Sequence, residues 1–129
     1  MKQKNQFEVI TKSRILIEYI FTVTEKSPKK FRFTIISRMH NIALDIMENL
    51  IRANEIYIKD KEQTADYRRR FYYQKEALIA IKLLGYISMI AREQECILPK
   101  QYEQIALQLS ECRKMLGAWV LSDRKRLWG

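Results

Sequence analysis

Turn-forming residues are scarce in this chain, which has three glycines and two prolines in 129 residues. An all-β fold needs many tight corners, and corners draw on those two residue types, so that class is excluded. Cysteine is almost as rare. Cys96 and Cys112 share no metal-ligand spacing and sit in helical, partly apolar contexts, which reads as a reduced pair of core residues and not a disulfide. The single histidine, His40, has no Glu-x-x-His neighbour of the kind that builds a di-metal site in a helical bundle. Nor does it complete the Arg and His pair of helical ribonucleases, because Arg32 lies too far before it and Arg38 too close. No glycine-rich loop is present to cradle a phosphate, and no nucleophile has a base near it in sequence. Catalytic residues, metal ligands and cofactors are therefore expected to be absent. Long apolar runs are missing too: Glu8, Lys12, Arg14 and Glu18 interrupt the N-terminal stretch, and no window reaches the ~18 uncharged apolar residues of a membrane span. The expectation is a soluble, cytoplasmic chain with no membrane partner.

What is abundant is positive charge and helical periodicity. Twenty-four Lys and Arg face 15 acids, for a formal charge of +9 and a pI near 9.7. Such a chain is electrostatically biased towards phosphate backbones or an acidic protein surface. At 15.6 kDa it is expected to form one domain spanning residues 1–129 with a real core. Ser27-Pro28, Ile97-Leu98-Pro99 and the polar run Lys59 to Thr64 divide it into helices at roughly 6–25, 28–59, 63–95 and 99–121. Ser27 reads as an N-cap with Pro28 in the first turn. Each segment carries an apolar stripe at steps of three and four, for example Ile35, Met39, Ile42, Ile46, Leu50, Ala53 and Tyr57 in the second. In the fourth, Tyr102, Ile105, Leu109, Cys112, Leu116 and Trp119 do the same. Four such stripes with short connections predict an all-α, antiparallel up-down four-helix bundle. Tyr72, Ile79 and Tyr86 fall outside the third helix's main stripe. They are either part of a broad buried arc or an oligomer interface.

Three basic clusters are candidate nucleic-acid contacts. Lys29, Lys30 and Arg32 open the second helix, where cations oppose the helix dipole and an anion would relieve them. Arg68, Arg69 and Arg70 spread around the third helix, and Arg68, Lys75 and Lys82 continue as a stripe at seven-residue spacing with Tyr72 interleaved. Such a face tracks a phosphate backbone, or is simply a solvated face. Arg124, Lys125 and Arg126 come just past the last expected helix, with Trp128 free to pack back or to stack on a base. No cluster matches a sequence-reading motif, so binding would be directed at RNA or DNA backbones.

Two segments add a resemblance. Ser27-Pro28-Lys29-Lys30-Phe31-Arg32-Phe33-Thr34-Ile35 opens the second helix, and Met115-Leu116-Gly117-Ala118-Trp119-Val120 closes the fourth. Together with the helix layout, these resemble the accessory variability determinant proteins of diversity-generating retroelements, within the wider ribosomal S23-like group of four-helix bundles. Gly117 in a helix suggests a close neighbour or an approaching helix end, Trp119 reads as packing, and Phe31 and Phe33 as anchors of the turn. The resemblance implies a basic homopentamer arranged as a ring. It also implies a reverse transcriptase partner together with template RNA or cDNA, so that the chain, itself no enzyme, supports mutagenic cDNA synthesis. Two other functions fit the same residues: a protein-interaction scaffold that never touches nucleic acid, and an rRNA- or ribosome-associated bundle.

Overall fold

The computed structural model describes residues 2–127, with side chains described from Gln6 onward. Among these residues there are four long helices and no strand: α1 (Lys2–Val23), α2 (Ser37–Asn54), α3 (Thr64–Glu93) and α4 (Pro99–Leu127). Each packs against its neighbour in sequence, and α4 closes back onto α1, which makes an up-down-up-down bundle. The core lies along the common axis, where Val9, Leu16, Ile20, Met39, Ile46, Leu50, Leu84, Ile105, Leu116 and Trp119 are fully buried. These are the residues that the three-and-four spacing selects, together with several it does not, such as Leu16. No helix is long and apolar enough to cross a membrane.

The two ends are built differently. At the first, which we call the upper pole, α1 stops where the Thr24 hydroxyl turns back onto the Ile20 carbonyl at 2.7 Å. Ser27 does not cap α2 as its sequence context suggests. Its hydroxyl instead donates to the Cys96 carbonyl at 2.7 Å, tying the α1–α2 corner to the α3–α4 corner. α2 is consequently reached through a 3-10 turn (Lys29–Phe31) and a π-helical turn (Arg32–Ile36), and the second helix does not run unbroken from residue 28. α3 ends in a Schellman turn: the Cys96 N–H reaches the Ala91 carbonyl at 2.7 Å and the Glu95 N–H reaches that of Arg92 at 3.0 Å. This puts Glu95 in the left-handed region with φ of 59°. α4 then starts with Pro99, and the Gln101 side chain accepts the Leu98 N–H at 2.9 Å, half of a capping box.

At the lower pole α2 ends at Asn54 and not near residue 59. The reason is a change of period: Ile56 and Ile58 are buried while Tyr57 between them is 72% exposed. That alternation belongs to extended chain, not helix, and it removes Tyr57 from the core stripe. Ile56 and Ile58 join Tyr67 and Leu127 in a small second core. Gln63 organises the loop, its carbonyl oxygen accepting from the Lys59 and Asp60 N–H groups and its amide donating to the Tyr57 carbonyl and to Asp66. α4 in turn continues to Leu127 instead of stopping near 121, because Asp123 and Leu127 are both buried against this end.

Candidate nucleic-acid interface

The structure separates the basic residues that the sequence singles out. Lys29, Lys30 and Arg32 are all exposed at the upper pole, on the 3-10 and π turns. Lys30 leans over the Phe31 ring at 5.1 Å, and no side chain caps the segment. Arg124 and Lys125 are exposed at the lower pole. They lie inside the last turns of α4 and not beyond it. α2 alone, 18 residues, sets ~27 Å between the two ends. Trp128 lies outside the described residues.

Arg70 is a correction. Its position next to Arg68 and Arg69 suggests one cationic surface, but its side chain is 5% exposed. One terminal nitrogen donates to both carboxylate oxygens of Asp123, at 2.9 and 3.1 Å, and the other donates to the Ile56 carbonyl at 2.6 Å. Gln74 donates to the same carboxylate at 3.1 Å, and the guanidinium sits 5.8 Å from the centre of the Trp119 ring. Three successive helical residues spread over about 200° of the circumference, so three arginines in a row do not share one narrow face, and here Arg70 is the one turned inward. Arg70 cannot reach a phosphate. Arg126 is half committed to the same cluster, 3.6 Å from Asp123 and 3.5 Å from the Ile58 carbonyl. Arg69 is exposed but paired with Asp66 at 3.1 Å, and it faces a groove between α2 and α3 shared with Arg52, Glu55 and Tyr57. Its charge is locally balanced.

What survives is a line along α3. Arg68, Tyr72, Lys75, Ile79, Lys82 and Tyr86 follow at alternating steps of four and three, and every one is exposed. Tyr72, Ile79 and Tyr86, at 58, 54 and 58% exposure, lie on the outward face and not on a broad buried arc. Leu83 and Ile90 extend them. No carboxylate among the described residues pairs with Arg68, Lys75 or Lys82. The structure adds a residue here that sequence reasoning missed. Lys82 shares the α3–α4 groove with Arg113, where the small residues Gly85 and Ala106 leave room between the two helices. Helical spacing carries the α4 side on through Gly117 to Arg124. Gly117 is exposed with nothing within 4 Å of a built Cβ, so it marks neither a close approach nor a helix end. Phe33, expected to anchor its turn, is 87% exposed, while Phe31 packs on the core.

His40 and the two cysteines are engaged in packing. The Thr24 oxygen accepts from His40 Nε2 at 2.8 Å and Phe21 lies against the imidazole at 4.5 Å; burial lowers the His40 pKa. Burial pushes the Cys112 thiol up to about 11 and raises Cys96 as well, so neither is a ready nucleophile. Among the described residues no group of His, Cys, Asp and Glu could hold a metal ion.

A family model described as bAvd-like matches residues 7–122, from α1 into the last turns of α4. The chain belongs to the bAvd-like family. These are the accessory variability determinants of diversity-generating retroelements, accessory and not catalytic proteins. A search of curated proteins finds no match.

Proposed function

We propose that this bAvd-like chain is a non-enzymatic, nucleic-acid-binding subunit that serves the reverse transcriptase of a retroelement. It holds template RNA or cDNA near the enzyme during mutagenic cDNA synthesis. The observation that carries the reading is the α3–α4 face, where Arg68, Lys75, Lys82, Arg113 and Arg124 stand exposed and pair with no carboxylate among the described residues. Seven residues climb ~10 Å along a helix, so the three cations of α3 span ~21 Å and suit an extended backbone. Lys29, Lys30 and Arg32 form a second contact at the upper pole, and Arg124 with Lys125 a third at the lower.

The working unit is a ring-like homo-oligomer, in keeping with the family, of five copies. An apolar ridge running from Tyr72 through Ile79 and Leu83 to Tyr86 and Ile90 supports this, because a monomer seldom leaves so long a row in water. At about 100° per residue Tyr72, Ile79, Leu83 and Ile90 lie on the edge of the α3 stripe away from α4, while Lys75 and Lys82 lie on the edge towards it and stay clear of the ridge. Size exclusion with light scattering tests the assembly and co-elution with the retroelement's reverse transcriptase tests the partnership. Five copies of 15.6 kDa give a mass of about 78 kDa. A monomer that never co-elutes with the enzyme overturns the reading.

A further inference from the structure

We infer that Phe33 is a stacking platform for an unpaired base of a single-stranded nucleic acid, held at the upper pole by Lys29, Lys30 and Arg32. This rests on the nucleic-acid reading above and adds to it a site that does not work through charge. Phe33 is 87% exposed, more than any other large apolar side chain among the described residues. A phenylalanine turned so far into water forgoes all the gain from burial, and nothing in the fold recovers it. The local backbone produces this orientation. The Ser37 N–H reaches back to the Arg32 carbonyl, so the segment closes π-type rings that shift Phe33 out of helical register with Ile36 and Met39 behind it.

The surroundings select the ligand. Lys29, Lys30, Arg32 and Thr34 are all exposed beside Phe33, and no carboxylate among the described residues pairs with the cations. A protein anchor or a membrane-binding surface wants an apolar patch around its central residue. Here the neighbours in sequence are cations and a hydroxyl, the combination that holds a phosphate backbone while one aromatic face takes a base. The contact is sequence-tolerant, since every base offers a π face, and it demands an unpaired base, since a duplex keeps its faces stacked.

The test compares Phe33→Ala, Phe33→Leu and Phe33→Trp for binding to a labelled oligo-dT of about twenty nucleotides and to a duplex of equal length. All three should melt like the parent, because the side chain touches little. Phe33→Ala should weaken oligo-dT binding between about 5- and 100-fold and leave duplex binding and the salt slope unchanged. Phe33→Trp should bind at least as tightly as the parent, and Phe33→Leu as weakly as the alanine variant. Unaltered oligo-dT affinity in Phe33→Ala, or equal losses on strand and duplex, overturns the platform. Full affinity in Phe33→Leu does so too, and marks a simple apolar anchor of the kind a protein partner uses. A parent that fails to bind oligo-dT at low salt overturns the nucleic-acid reading itself, and the platform with it.

Discussion

Arg70→Gln should unfold the lower pole where Arg69→Gln beside it does nothing measurable. The Arg70 guanidinium is committed to Asp123 and to the Ile56 carbonyl, with side-chain exposures of 5% and 1% for the ion pair. Glutamine cannot span these partners, so the substitution leaves a buried carboxylate and a backbone acceptor without their donor. Removing one member of a buried pair typically costs about 3–5 kcal/mol. For a chain of this size that corresponds to a fall of about 10–20 °C in Tm. Arg69 pairs with Asp66 in water, with side chains 63% and 38% exposed, and its loss should stay within about 0.5 kcal/mol. Urea denaturation at fixed protein concentration reads both variants, and the midpoint should move for Arg70→Gln alone. Arg70→Met combined with Asp123→Leu is the internal control. Replacing both charges by apolar groups removes the uncompensated carboxylate and should recover most of the loss. An Arg70→Gln variant that melts with the parent would refute the buried network as the element that fixes this end.

Further outcomes follow from the same geometry. Trp119→Ala should destabilise by about 3–5 kcal/mol in the same denaturation assay, since Trp119 is fully buried on the core side of α4. Glu95→Gly should stabilise by about 1 kcal/mol, seen as a raised Tm, because Glu95 holds the left-handed position of the Schellman turn with φ of 59°. His40 gives a pH signature. Burial lowers its pKa in the fold, so the unfolded chain binds the proton more readily and stability declines as pH falls below the ordinary value of 6.5. His40→Gln should flatten that acid limb in melts across pH 5 to 7.

The helices were legible because their stripes obey one period over many residues. Met39 through Ala53, and Ile105 through Trp119, are buried where spacing puts them. The period fails where the chain changes conformation over a few residues. Tyr57 continues the α2 stripe by spacing, and only the second core with Tyr67 and Leu127 shows that Ile56 and Ile58, on either side of it, are the buried pair. The π turn before Ser37 has no composition signal, so Phe33 looked like an anchor. The partnership of Arg70 with Asp123 joins residues on different helices, and nothing local to either predicts it. The same holds for Lys82 and Arg113, since only the register of α3 against α4 sets them in one groove. Charge composition shows that a cationic surface exists; packing shows which cations are free to use it.

The central claim is that the free cations of the α3–α4 face contact a phosphate backbone, and the salt dependence of binding tests it most directly. For the parent, log affinity for single-stranded RNA should fall linearly with log salt at ~0.7 per phosphate contact. Replacing Lys75, Lys82 and Arg113 together by Gln should flatten that slope by about 2, with Tm and oligomer mass unchanged because all three side chains are exposed. An unaltered slope in that variant, or no binding by the parent at low salt, would contradict the claim and leave an acidic polypeptide as the partner of this face.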